Sequence, residues 1–396
     1  MNLQNINFTK YNDEKINKEI GNQLSIIVDE ILKYKDELGI VSIVLLGGFG
    51  REEGSIIFRN GRVEPLNDYD VNIVVEKHFP FFNNLPPLDV NKIINVISDN
   101  IKNKIDISHV DMGAIPYSIL PTLPNIIANY EIKYGGKILW GEDVLKKMPN
   151  YDPKEIILSD GITLLFNRFN CLINGFPPAN LNRKEHSIVQ LVKPLHACCE
   201  SLLLLSGDYH YSYEERNKRF KKIFPEIFPE LYKRIPQLIE YVDKAIKFKL
   251  HPDYDMFPDH EKLWKNTVDM YFEVFKYYMN AYYKLNTLDL DIIIKNFLME
   301  NKGDIKENIL FWGGYILNMW SHGFKIFKFN PNYKPNVYLY ASEPYLVYML
   351  RYGENKKYMK MIEYYLGNVI NINHNGDLFS LRSKSIIVLG RGGYEP

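Results

Sequence analysis

Cysteine is scarce. The 396 residues contain three, Cys171, Cys198 and Cys199, and two of these are adjacent. None has metal-ligand spacing, so they are expected as buried thiols in a reducing compartment. Long apolar runs are missing as well: no stretch approaches about 18 uninterrupted apolar residues, the length a membrane span requires. The amino terminus MNLQNINFTKYNDEK lacks the cationic-then-apolar pattern of a secretory signal. A cytoplasmic protein with no membrane association is the expectation. Nor is there an excess of either charge, since 48 basic and 48 acidic residues give a formal net charge of zero. Polynucleotide binders neutralise phosphates with a basic surface, so nucleic acid is not expected as the main substrate. Internal repeats and low-complexity tracts are absent too.

What is present favours packed helices. Aromatic residues make up 14% of the chain, a share that disordered segments do not reach. The length implies two or three domains, each able to bury a core. Ile16, Ile20, Leu24, Ile27 and Ile31 repeat at threes and fours, which predicts a helix over Asp13–Leu38, ended by Gly39. Val41–Leu46 reads as a buried strand. Asn60-Gly61 sits between two short strand patterns and predicts a hairpin over 55–64. A second amphipathic helix is expected over Leu88–Lys102 and a further strand over Ile105–Asp111.

The most informative stretch is Val44–Val75, VLLGGFGREEGSIIFRNGRVEPLNDYDVNIVV. Side chains two apart on a strand share a face, so Asp68 and Asp70 aim their carboxylates at one point. Like charges held that close repel unless a cation lies between them. Mg²⁺ suits the place, since it takes a few carboxylates and completes its shell with water and phosphate oxygens. The turn Gly47-Gly48-Phe49-Gly50-Arg51 lets backbone N–H groups approach an anion, with Arg51, Glu52 and Glu53 expected to open a short helix.

An apolar strand, G-G-x-G-R-E-E, and then N-D-x-D running into V-N-I-V-V resembles the nucleotidyltransferases of the polymerase-beta-like superfamily. The wording GGFGREE is similar to the uridylyltransferase that modifies nitrogen-regulatory proteins and to aminoglycoside nucleotidyltransferases. The resemblance spans roughly residues 41–143. It implies an α+β catalytic domain over residues 1–150, a mixed sheet flanked by helices. It also implies a third carboxylate beside the D-x-D pair. Asp106 matches that place, pointing opposite to Ile105 and Ile107, and Asp111, at the strand end on the other face, is the second candidate.

The implied chemistry is transfer of a nucleoside monophosphate from an NTP to a hydroxyl of a small molecule or protein, with loss of pyrophosphate. Asp68, Asp70 and Asp106 would hold two Mg²⁺ or Mn²⁺ ions. Gly47 and Gly48 would hold phosphates, and Arg51 would either join them or pair with Glu52, Glu53 or Asp68. Relatives take a phosphate-binding lysine and a general base from a helical domain; Lys193 and Glu200, seven residues apart on one helix, stand as candidates. An alternative is a toxin-like or regulatory protein acting on a macromolecular partner, protein or RNA.

Met148–Pro153 reads as a linker, and residues 151–396 read as helices only, with a break near 251–260 that would divide them into two subdomains. Pro194 is expected to interrupt the helix over Lys184–Leu205. Ser212-Tyr213-Glu214-Glu215 is a capping box opening the helix that carries Arg216 and Arg219. His109, His196 and the tyrosines and phenylalanines of 271–283 are expected as packing residues. Ser380–Val388 reads as a terminal strand.

Overall fold

The computed structural model describes residues 6–11, 13–59, 61–76, 88–105, 107, 110–179, 183–321, 329–370 and 381–382. By its internal contacts the chain forms two units. The first comprises Met1–Ile157 together with Ser206–Arg219 and Ile246–Asp253; the second comprises Leu158–Leu205, Phe220–Ala245 and Tyr254–Pro396. The sequence places one boundary at 150. Contacts put it at Ile157 and return two later segments to the first unit.

Among the described residues the first unit is built on six strands: β1 (Ile40–Leu45), β2 (Ile56–Arg59), β3 (Arg62–Pro65), β4 (Tyr69–Val75), β5 (Val110–Pro116) and β6 (Lys137–Gly141). Four of them form a mixed sheet in the order β5-β4-β1-β6, parallel between β4 and β5 and antiparallel elsewhere. β2 and β3 form the expected hairpin. Asp13 starts the first helix, Glu14–Leu32, by accepting from the N–H groups of Lys15 and Ile16. Ile16, Ile20, Leu24, Ile27 and Ile31 are all buried, and Gly39 enters β1 at φ 65°. This helix and Leu88–Lys102 cover one face of the sheet, where Ile43, Leu45, Val71, Ile73 and Val75 share a core with Val90, Ile94, Ile97 and Ile101. Each fully buried Ile or Leu contributes about 1.5–3 kcal/mol relative to exposure. On the other face Val44, Val74 and Ile115 meet Leu120, Ile132 and Met148.

Three local expectations change. The strand expected over Ile105–Asp111 is Val110–Pro116, because pairing with β4 sets Val110 opposite Tyr69 and carries the ladder on to Pro116. Asp106, Ser108 and His109 lie outside the described residues. Residues 116–134 read from the sequence as helical once past their early prolines; the prolines carry a 3₁₀ turn, Tyr117–Thr122, and the helix is confined to Ile127–Gly135. Pro194 does not interrupt its helix, Lys184–Ser206, which runs through it to Gly207 at φ 76°.

The second unit is helical among the described residues. Pro335–Tyr352 lies at its centre, packing on Leu158–Asn174, His260–Tyr283, Leu290–Glu300 and Lys356–Leu366. Phe166 sits among Phe275, Phe297 and Tyr340, and the Trp264 indole N–H donates to the Leu172 carbonyl at 2.8 Å. Of the aromatics at 271–283, Tyr271, Phe272, Phe275 and Tyr278 are core as expected, while Tyr277, Tyr282 and Tyr283 are half-buried. Lys184–Ser206 alone among the described helices has the length and apolarity of a membrane span, and most of it is buried in this unit. Of the expected terminal strand only Leu381 and Arg382 are described, and both are helical.

Candidate metal centre

β4 begins at Tyr69, so Asp68 stands just before it and Asp70 just inside it. Alternation sends Tyr69, Val71, Ile73 and Val75 into the core and turns Asp70 and Asn72 to the opposite face. β5 runs beside β4 with Asp111 directly across from Asp70. Oxygens of Asp68, Asp70 and Asp111 all come within 4.8 Å of one another. The D-x-D pair is therefore brought together as expected, and within the described residues its third member is Asp111, the second candidate of the sequence reading.

Such a cluster is electrostatically strained. Burial, and then the Asp68 charge, push the Asp70 carboxyl up to about 6; Asp111 adds to this while Lys249 and Arg51 oppose it. A divalent cation would relieve that strain, and three carboxylate donors suit a hard ion such as Mg²⁺ or Mn²⁺.

The glycine turn is fitted against the same carboxylate. The Leu46 N–H donates to the Asp70 carbonyl at 2.8 Å. Gly47 has φ +59°, and a Cβ there would fall 1.9 Å from Asp70 Oδ2, so only glycine fits. The helical turn is Gly47–Gly50 itself and does not begin at Arg51. Glu52, at φ 64°, turns the chain away, and the Glu53 N–H donates back to the Gly48 carbonyl at 2.8 Å.

Arg51 takes the ion-pairing course. Its Nη1 lies 2.7 Å from Glu131 Oε2 and its Nε 3.8 Å from Glu53 Oε2, with the side chain 5% exposed. Arg216, also buried, pairs with the other Glu131 oxygen at 2.9 Å. Burial alone would raise the Glu131 carboxyl, but the charges of Arg51 and Arg216 hold it below the usual carboxylate range. Both guanidiniums lie over the Tyr213 ring, Arg51 at 4.7 Å and Arg216 at 4.4 Å from its centre.

No family model matches the chain, and no curated protein or solved structure matches it.

The site is thus judged on its geometry, which includes groups the sequence did not single out. Lys249, near the end of the helix Leu238–Leu250, is half-buried beside the cluster. Burial and Arg51 lower its pKa, while Asp70, Asp68 and Glu53 act in the opposite sense. It closes a run, KAIKFKL, in which nothing distinguishes it from Lys244 and Lys247. Glu131 was equally unmarked, and Glu53 figured only as a possible partner of Arg51. Lys193 and Glu200 lie on Lys184–Ser206 in the helical unit, Lys193 half-buried and Glu200 buried, and so does His196, which is buried.

Proposed function

We propose that this chain is a metal-dependent nucleotidyltransferase that moves a nucleoside monophosphate from an NTP to a hydroxyl acceptor. The observation that carries the reading is the convergence of Asp68, Asp70 and Asp111 on one point, beside a glycine turn that tolerates no side chain against Asp70. Asp68, Asp70 and Asp111 would hold Mg²⁺ or Mn²⁺. When bound, the ion supplies charge stabilisation for an in-line displacement at phosphorus and lowers the pKa of a hydroxyl.

The chain's own groups prepare the same chemistry. Lys249 places an amine at the carboxylate cluster which, when protonated, suits the anionic triphosphate. The Gly47–Gly48 backbone supplies N–H groups without a side chain to keep a phosphate away. Arg51, spent on Glu131, holds the turn. Lys249 therefore takes the phosphate role that the sequence offered to Arg51 and Lys193. The acceptor belongs to one of two classes, a small solute or a macromolecule, protein or RNA, as in toxin-like and regulatory proteins with this resemblance.

Titration calorimetry with ATP, CTP, GTP and UTP, each with and without Mg²⁺, tests the proposal. At least one is expected to bind in a metal-dependent way, and binding of none would sink it. Incubation of the full chain with α-labelled NTP and cell lysate then separates the acceptors by whether label enters small solutes, protein or RNA.

A further inference from the structure

Glu53 is fully buried, yet its carboxylate faces residues some 160 positions away in sequence. It accepts from Ser212 Oγ at 2.7 Å, from the Tyr213 N–H at 2.9 Å and from the Glu214 N–H at 3.2 Å. These donors open the helix Tyr213–Ile227, where Ser212 Oγ also accepts from the Glu215 N–H at 3.3 Å. A buried carboxylate on those N–H groups satisfies donors that the helix leaves unmade and complements its dipole. Two residues on, Ser55 Oγ donates to the carbonyl of Lys249. The Lys249 ammonium lies 5.8 Å from the centre of the Tyr213 ring, over which Arg51 and Arg216 also lie. The five residues Arg51–Ser55 thus contact both segments, Ser206–Arg219 and Ile246–Asp253, that return to the first unit.

We propose that Glu53 is a positioning residue: by docking Ser212–Glu214 it fixes the Tyr213 ring, and that ring holds the Lys249 ammonium at the carboxylates. The role of Lys249 toward phosphate rests on the nucleotidyltransferase reading, whereas the coupling from Glu53 to Lys249 does not. The chain of contacts has a defined order. Loss of the Glu53 carboxylate leaves three donors unmade, frees the segment that carries the Tyr213 ring, and so loosens the contact of that ring with Lys249. The metal carboxylates, Asp68 before β4, Asp70 on it and Asp111 on β5, stand outside this chain.

Amide exchange on full-length E53A, E53Q, Y213L and Y213F tests the coupling. E53A is expected to raise exchange at 212–216 and also at 246–253. E53Q, which keeps an acceptor oxygen, should restore much of the protection. Y213L should raise exchange at 246–253 while Y213F, which keeps the ring, should not. Raised exchange at 212–216 with 246–253 unchanged would make Glu53 a helix cap only and overturn the inference. If E53A fails to fold, E53Q and the Tyr213 pair decide the same question.

The second readout is calorimetry with inorganic tripolyphosphate and Mg²⁺ beside Mn²⁺ alone. E53A should weaken tripolyphosphate by about tenfold or more while Mn²⁺ affinity stays within about threefold. Equal loss of both, or of neither, contradicts the positioning role. Failure of the wild-type chain to bind tripolyphosphate instead overturns the functional reading, and the exchange data then judge Glu53 alone.

Discussion

Asp70→Asn should stabilise the metal-free protein, and the gain should depend on pH. The Asp70 carboxyl is pushed up to about 6 from its ordinary 3.8, by burial first and by Asp68 next. A gap of about two units corresponds to about 3 kcal/mol, the cost of ionising this group in the folded unit relative to the unfolded chain. The direction follows from the raised folded value. Below about pH 4 the group is protonated in both states and costs nothing. Between pH 4 and 6 the unfolded chain ionises first and folding loses stability; above about pH 6 the full cost is present. Asparagine keeps the shape without the charge.

In EDTA at pH 8 the variant's first unit should therefore be more stable by up to about 3 kcal/mol, with the difference closing toward pH 4. Slowly exchanging amides of β1 and β4, which report opening of this unit, provide the measurement. Mn²⁺ should reverse the order. An ion at about a hundred times its Kd adds about 2.7 kcal/mol to the wild type and little to a variant that has lost a ligand. An Asp70→Asn protein that is less stable than wild type in EDTA at pH 8, or a difference that does not vary with pH, would refute the picture of a strained carboxylate cluster.

Three further outcomes are expected. Gly47→Ala places a Cβ against Asp70 Oδ2 at an unfavourable φ, so it should destabilise the first unit by about 1–3 kcal/mol and abolish Mn²⁺ binding, both readable in one thermal-shift series with and without Mn²⁺. Lys249→Met should move two affinities in opposite directions: Mn²⁺ binds several-fold more tightly once a nearby positive charge is gone, while Mg²⁺-tripolyphosphate binds about tenfold or more weakly, and parallel changes would exclude Lys249 from the site. In the helical unit, Glu343 is fully buried, neither carboxylate oxygen has a hydrogen-bond partner among the described residues, and burial raises its pKa well above 4.5. Glu343→Leu should therefore stabilise that unit by about 1–3 kcal/mol, with a benefit no smaller at pH 9 than at pH 6, since a raised carboxyl loses stability as pH rises; a destabilised variant in a thermal melt would show that the acid has a partner.

The parts of the fold that were legible in the sequence are those fixed by local rules. Ile16 to Ile31 announced one helix by spacing, although it ends at Leu32 and a separate turn, Lys35–Leu38, carries the chain to the left-handed Gly39, and Asn60-Gly61 announced the hairpin. The third carboxylate was less accessible. Parallel pairing sets β5 by its fit along β4, and that register puts Asp111 opposite Asp70; nothing local to 105–111 encodes it. A helix starting at Arg51 was expected from charged residues of good propensity, but the left-handed Glu52 and the tie from Glu53 to Gly48 end the turn there instead.

The groups the sequence could not mark are those whose role depends on distant partners. Glu131 reads as an ordinary surface acid and Glu53 only as a possible partner for Arg51, until Glu53 is seen buried and capping a helix about 160 residues on, and Glu131 half-buried and clamped by Arg51 and Arg216. Lys249 reads as one of several lysines in a helix. The charges explain why these residues must come together. Three carboxylates at one point repel, and Lys249 brings a positive charge that opposes the rise at Asp70. Arg51 and Arg216 could not replace it, because each neutralises Glu131 and stacks on Tyr213. The first unit therefore reaches into the helical half of the sequence twice: once at Ser206–Arg219 for the ring and the arginine that complete the Glu131 clamp, and once at Ile246–Asp253 for the lysine. A boundary drawn at residue 150 would separate the acids from both, and a fragment ending there should retain the D-x-D pair while losing the groups that hold the turn and offset its charge.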